Sequence, residues 1–502
     1  MSIGIDLGAA FARVAGLNSQ GAPFLYADAN AVQHYSTPAV VLIDGSDALI
    51  GHAAELSAAD AHQHAGARQF KSQLQSPEWA WKDAQSRRWS ATALTALLLR
   101  KLLRDVATHE DSDPHSAVLA VPCHFSDGAR RALKSAAAWA GLKHIQLIDE
   151  PLAAARFFGL DQSLVDQTVL LVDVGATGTQ ACVLQISKGR IDTLAAAQTP
   201  TGGNAYGRLL AQQIAPDFSR RHRRDLATDA ALLNQLERAM DGLKAPLADA
   251  HAALVRRTLL VGDLALEVAL NPLQVAKSAE PLVRQILDCT KLALSQCGLS
   301  AAFIDRVLLI GEASAMPGVL PALAAAFARP ASEIKARQAA NAVAFGAALA
   351  ARDGAMEQQQ MALSSVAALD LGIRVRSDSP IATQARLEPL IKRGTSLPAQ
   401  HAATFYTTRP EQTRLMLDIV QGHAPDKIEA SLGLFAFGPI RRPRKNYPIE
   451  VSLSYDREGL VKLTARDPQS GESINHAVHT AGNAGESNQA EAAACAALRL
   501  LV

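Results

Sequence analysis

Short apolar runs that end in Asp, Gly or Pro alternate with helix-period segments over the first two-thirds of the chain. Ile3–Leu7, Ala117–Val121, Val169–Val174 and Arg306–Ile310 have the run length and β-branched content of buried strands. Between them, Ala91–Val106 places leucines at 94, 97, 98 and 102 on one helical face, and Asp127–Ala140, Leu152–Phe158 and Leu273–Cys297 repeat at helical spacing. Strands alternating with helices predict an α/β unit with sheets covered on their faces, spanning residues 1–355. Near residue 355 the pattern changes. The polar stretch Glu357–Met361 predicts a linker, taken as residues 356–370. Beyond it, Thr404–Tyr406, Arg414–Val420, Ile449–Tyr455 and Leu460–Ala465 alternate apolar with polar positions, predicting a compact all-β domain over 371–476. The remaining 477–502 predicts a flexible lead-in and a short Ala-rich helix.

Composition narrows the class. Hydrophobic residues make up 49% and charged residues 19% of 502 positions, as in a folded chain large enough for two or more cores. Lys+Arg of 49 against Asp+Glu of 48 gives a net charge of +1, which argues against nucleic acid as the main partner. The N-terminus MSIGIDLGAA has neither a basic region nor a leader-like apolar core, and no run is long enough to span a bilayer. The expected address is the cytoplasm, with no membrane partner. The five cysteines lie far apart in apolar surroundings and predict no zinc or redox pair. His62 and His64 lack companions that would complete a metal site, and the basic runs Arg220–Arg224 and Arg441–Lys445 are expected to be solvated surface.

Two segments carry candidate chemistry. In Ile3-Gly-Ile-Asp6-Leu-Gly8, a strand delivers a carboxylate to a tight turn whose N–H groups can face a phosphate. The segment Val169-Leu-Leu-Val-Asp173-Val-Gly175-Ala-Thr177-Gly178 repeats the arrangement, and Thr201-Gly202-Gly203 follows it. Two such units suggest two related lobes closing on one nucleotide. The chain contains no GxxxxGK[ST] loop, so a P-loop nucleotidase is not expected.

The order of these motifs resembles the actin-like ATPases and, among them, the 70-kDa heat-shock (DnaK-type) chaperones. IGIDLG and LVDVGATGTQ resemble that family's two phosphate loops. VPCHFSDGARRALKSAAAWAGLKHIQLIDEPLAAARFFGL resembles its proline-switch segment, and LLIGEASAMPGV its adenosine loop. LGIRV, LIKRGTSLPAQHAATFYTT, DIVQGH and PIEVSLSYDREGLVKLTARD resemble its β-sandwich peptide-binding domain. The resemblance implies an actin-like ATPase domain, a β-sandwich and a vestigial lid helix. Asp6 and Asp173 would hold Mg²⁺ mainly through water, and Lys71 and Glu150 would act on the phosphates and the attacking water. Gly8, Gly175, Gly178, Gly202, Gly203, Glu237 and Gly311 would bind ATP or ADP, while Pro122 and Arg130 would form the interlobe switch. Ile373, Phe405, Leu415, Leu417 and Ile449 would line or support a groove for extended or unfolded polypeptide, with core packing an even alternative for Leu417 and Ile449. J-domain and nucleotide-exchange co-chaperones are the further partners implied.

The departures point toward weak turnover. Ala9 and Ala10 replace two threonines, Gln180 replaces a carboxylate, Met240 and Lys244 replace a Lys and a Ser, and Glu312 replaces a glycine. Each lost charged or hydrogen-bonding contact costs roughly 1.5–3 kcal/mol, and phosphoryl transfer depends on many such contacts acting together. Slow or impaired hydrolysis is therefore expected. A non-hydrolysing nucleotide-binding holdase or scaffold is the alternative, followed by a small-molecule kinase or a filament protein of the same superfamily. Arg374, Arg376 and the long loop 377–388 predict an altered groove rim, and the linker Ser364–Asp370, poor in apolar area, predicts weak docking.

Overall fold

The computed structural model describes residues 2–31, 33–60, 66–226, 228–249, 252–262, 264–334, 338–353, 363–376, 385–477 and 484–501. His62, His64, the segment Glu357–Met361 and residues 377–384 of the long loop lie outside them.

Two five-membered strand paths that share a parallel-then-hairpin arrangement around their Asp-bearing strands build the first domain. In lobe I the order is His144–Asp149, Ser116–Val121, Ser2–Leu7, Phe11–Leu17 and Pro23–Leu25. In lobe II it is Arg306–Ile310, Gln167–Val174, Thr179–Ser187, Arg190–Thr199 and Leu363–Ser364. In each, the strand bearing the Asp lies between a parallel neighbour and an antiparallel hairpin partner. Ile3, Ile5, Leu170 and Val172 are fully buried, because these central strands are covered on both faces.

One hydrophobic core spans the lobes. It joins Val118 and Ala120 of lobe I to Val169, Leu171 and Leu308 of lobe II through the helices Glu150–Phe157 and Ala342–Asp353. These helices are rich in Ala and Gly because they must approach closely. A Cβ on Gly346 would lie 1.7 Å from the Ala153 carbonyl oxygen, and one on Gly4 2.0 Å from the Ala348 nitrogen. The segment expected as one helix, Leu273–Cys297, is instead two, Pro272–Ser278 and Glu280–Gln296. Pro281 lacks the N–H that an interior position would need, so it sits in the first turn of a new helix.

The second domain packs two four-stranded antiparallel sheets face to face. One runs Ala385–Ile391, Asp370–Arg376, Leu415–His423, Lys427–Phe437, and the other Ala399–Tyr406, Pro448–Tyr455, Val461–Arg466, Ser473–Ala477. This sandwich rests on the lobe I helix Asp127–Trp139. Lys134 pairs with Glu458 at 2.6 Å, and the other Glu458 carboxylate oxygen accepts the Leu147 N–H at 3.1 Å. Asp127 accepts the Val461 N–H at 2.7 Å, and Arg131 donates to the Val461 carbonyl at 2.9 Å.

The described part of the linker docks more firmly than its composition predicts. Leu363–Ser364 extends the lobe II sheet beside Ile191 and Asp192. Ser365 donates through its hydroxyl to Asp149, and the Ala367 and Leu397 amides bond to Thr395 and Ser365. Backbone pairing and hydroxyl contacts supply the attachment that apolar area alone would not.

The tail also returns to lobe I. Its helix Ala484–Ala497 lies on helix Ala91–Glu110, and strand Arg499–Leu501 runs parallel to Asp47–Ile50. Glu491 accepts both the N–H and the hydroxyl of Ser90, at 2.7 and 2.8 Å, and Ser90 is itself the N-cap of the long helix. Arg499 grips Asp47 with two bonds of 2.8 and 2.9 Å, while Cys495 and Leu498 are buried in the lobe I core. Replacing Glu491 with Ala leaves Ser90 without these charged acceptors. The expected loss is about 1–2 kcal/mol, seen as a lower thermal midpoint by calorimetry; an unchanged midpoint would show that the tail does not brace lobe I.

Candidate functional site

The cleft between the lobes is floored by the two hairpin turns. In the first hairpin Asp6 stands directly opposite Arg13, and in the second Asp173 stands directly opposite Gln180. Directly paired residues project to the same face of an antiparallel ladder. Each lobe therefore presents one Asp and one longer polar side chain to the cleft. Sequence reasoning singled out Asp6, Asp173 and Gln180 but missed Arg13. The signal was available as the equal offset of both partners from their aspartates.

Small residues keep the turns tight. A Cβ on Gly8 would lie 2.3 Å from the Phe11 carbonyl oxygen, and one on Gly178 2.7 Å from that of Thr199. The Gly175 N–H donates to the Gly178 carbonyl at 2.9 Å, closing the second turn. A Cβ on Gly202 would meet the Gly175 oxygen at 2.4 Å, and the Gly203 N–H donates to that same oxygen at 2.9 Å. Gly311 has φ of +87° and passes so close to Asp173 that a Cβ would sit 2.3 Å from a carboxylate oxygen. The structure brings these six candidate glycines and both aspartates to one cleft.

Lys71 enters from the short 3-10 turn Phe70–Gln75, and Glu150 from the start of its helix. Both are buried, and the ammonium donates to one Glu150 oxygen at 2.6 Å. The other Glu150 oxygen accepts the Gln180 amide N–H at 2.6 Å. The Gln180 carbonyl in turn accepts the Cys123 backbone N–H at 3.2 Å and its thiol at 3.1 Å. A neutral amide suits this position because it can donate to Glu150. A carboxylate there would face Glu150 with like charge.

Asp6 and Asp173 bring two carboxylates into one buried neighbourhood. Among the described residues, neither carboxylate is held by a hydrogen bond. Desolvation raises Asp6 to about 6, with Lys71 opposing and Glu150 adding to the rise. Asp173 is pushed up to about 8 by desolvation, then by the charges of Glu150 and Asp6. Beside them His124 is held neutral, its imidazole lowered to about 4 chiefly by burial. Its Nδ1 has no partner within the described residues. His124 was not anticipated from sequence, where it appeared only as part of a switch motif.

Around the rim the candidates divide. Glu237 is half-buried and the Lys244 ammonium lies 3.6 Å from where a Cβ on Gly203 would be, so Lys244 stands over the glycine loop. Met240 is fully buried in a cluster with Leu210, Leu236 and Leu243. Arg13 reaches across to Glu312 at 3.6 Å. Behind the cleft, Pro122 opens the turn before helix Asp127–Trp139, and Arg130 bonds Asp149 at 2.8 Å and the Glu458 carbonyl at 3.0 Å.

In the sandwich, Ile373, Leu417 and Ile449 are buried core residues, whereas Phe405 and Leu415 are partly exposed and pack on the edge of that core. Arg374 faces Asp418 at 3.3 Å.

A model of the Hsp70 protein family matches residues 2–496, so the chain belongs to that family. Its architecture is the corresponding actin-like ATPase domain followed by a β-rich domain. Family members are chaperones that bind ATP or ADP with a divalent metal, and that bind unfolded polypeptides and co-chaperones. Among the described residues no helix is long and apolar enough to cross a membrane.

The raised carboxyls give a pH signature. Both folded values lie above the usual 3.8, so the protonated forms stabilise the fold and that stabilisation fades as pH rises through about 6 and then about 8. A divalent cation competes with those protons. The stabilisation conferred by Mg²⁺ with ADP should therefore grow from pH 6 to pH 8 and level off above it, measured as the shift in thermal midpoint. A flat or falling shift would contradict cation binding at this pair.

Proposed function

We propose that this Hsp70-family chain binds ATP or ADP with Mg²⁺ in the interlobe cleft and holds extended polypeptide on its β-domain, with hydrolysis slow or lost. The observation that carries the reading is the bonded chain Lys71–Glu150–Gln180 beside two unpaired aspartates. It combines an anion-seeking lysine, a cation-seeking carboxylate pair and turns that only glycine can close.

The residues fit the implied ligands. Among the described residues no three His, Cys, Asp or Glu groups stand close enough to hold an ion by themselves. The donor set thus suits a hard cation that arrives with phosphate oxygens and water, with Asp6 and Asp173 completing its surroundings. When bound, Mg²⁺ supplies charge neutralisation for the phosphates. Lys71 would supply positive charge to a terminal phosphate, while Gly175, Gly178, Gly202 and Gly203 would let the backbone approach. Glu237 and Gly311 border the nucleoside side, and Lys244, paired with Asp241 at 2.5 Å, stands near Gly203.

Gln180 and the alanines at 9 and 10 favour binding over turnover. An amide cannot take a proton from water, and the methyl groups of Ala9 and Ala10 provide no hydroxyl to a phosphate. A non-hydrolysing holder is therefore the second reading, favoured by the engagement of both Glu150 oxygens. On the β-domain, Phe405 and Leu415 supply the apolar contact for a peptide, while Ile373, Leu417 and Ile449 support it from the core. The cytoplasm is the compartment this reading assumes.

The test is single-turnover hydrolysis with excess protein over ATP, paired with Lys71→Ala. A slow rate that the substitution lowers at least tenfold is the expected result. Bound but intact ATP in both proteins would assign the non-hydrolysing holder, and failure to retain nucleotide at all would contradict both readings.

A further inference from the structure

Arg13 is a buried cation that the Lys71–Glu150–Gln180 chain does not use. Its side chain is 11% exposed, and it projects beside Asp6 from the strand that follows the Ala9–Ala10 turn. Among the described residues, no hydrogen bond holds its guanidinium. Its ionic partner is Glu312 on the opposite lobe, at 3.6 Å, a spacing too long for a direct hydrogen bond. Glu312 opens the short turn Glu312–Ala315, immediately after the positive-φ Gly311, and its side chain is 54% exposed.

The two ends of this contact differ in kind. Arg13 carries a fork of donors in a narrow, largely buried setting, which is where charge-assisted bonds to an oxyanion are strongest. Glu312 offers a water-exposed carboxylate, the kind of partner that contributes little. The guanidinium belongs to the hairpin whose turn lacks hydroxyls at Ala9 and Ala10, in register with Asp6. We propose that Arg13 reads the terminal phosphates of the bound nucleotide, exchanging its contact with Glu312 for phosphate oxygens, and that Glu312 tunes affinity by competing for it. The arrangement also makes the pair responsive to phosphate number, because only a ligand with enough negative charge near Asp6 displaces Glu312. No other residue on the first hairpin turn offers a cation for this task.

This inference rests on the cleft binding nucleotide. Equilibrium affinities for ATP and ADP with Mg²⁺ would be measured on the full chain and on Arg13→Ala, Arg13→Lys and Glu312→Gln. Arg13→Ala should weaken ATP by roughly ten- to a hundredfold, the range for a charged hydrogen-bonded contact, and ADP by much less. Arg13→Lys should recover part of the loss, since the charge returns without the fork. Glu312→Gln should tighten ATP severalfold by releasing Arg13. A wild-type chain that binds nucleotide, with an ATP-to-ADP preference unchanged in Arg13→Ala, overturns the proposal alone. A wild-type chain that binds neither nucleotide overturns it together with the reading on which it rests. If Arg13→Ala does not fold, Glu312→Gln decides, and an unchanged affinity there refutes the role.

Discussion

Two adjacent carboxylates, Asp149 and Glu150, join the cleft to everything packed behind it. They sit where the last strand of the lobe I sheet becomes a helix, so their side chains leave the backbone in different directions. Glu150 faces the cleft and takes hydrogen bonds from Lys71 of lobe I and Gln180 of lobe II. Asp149 faces away and takes them from Arg130 and from Ser365 of the linker. Apart from the half-buried Gln180 these groups are buried, where a carboxylate left without partners is costly and strong pairing is correspondingly demanded. The dipeptide thus bonds to the cleft at one end and to Arg130 and the linker at the other. Arg130 carries the connection onward to the Glu458 carbonyl, and Asp127 and Lys134 on the same helix fasten the β-domain beside it.

The substitutions in the cleft make physical sense together. With Gln at 180, Glu150 gains a donor, and the negative charge concentrated around Asp6 and Asp173 is one unit smaller than a carboxylate there would make it. With Arg at 13, the first hairpin brings its own cation to the turn that has lost its hydroxyls.

Much of this was legible in the chain. Continuous apolar runs ending in Asp6 and Asp173 announced central strands and the cleft, because a strand buried on both faces must be apolar throughout. The glycines at the turns were legible for a similar reason, since close backbone approach excludes a side chain. Pairing across distance was not. Arg13 acquires its meaning only from the strand register and from Glu312, which lies on the opposite lobe. The tail helix looked like a remnant, yet Glu491, Cys495 and Arg499 tie it to lobe I through contacts that local periodicity cannot report. Apolar content alone underrates the linker's docking, to which backbone pairing at Leu363–Ser364 and the Ser365 hydroxyl bond to Asp149 contribute. Helix Leu273–Cys297 was drawn as one element because hydrophobic spacing continues across the break that Pro281 imposes.

Asp149 and Glu150 link the cleft to the docked β-domain through one continuous set of hydrogen bonds. Two amides report docking directly, that of Val461 held by Asp127 and that of Leu147 held by Glu458. The most direct measurement is hydrogen exchange at these two amides in the wild-type chain and in Glu150→Gln, a change confined to the cleft. Faster exchange at both, with the sandwich core unchanged, is the result the account predicts. Unaltered rates at Val461 and Leu147 would contradict it, and would leave the cleft and the β-domain as neighbours without communication.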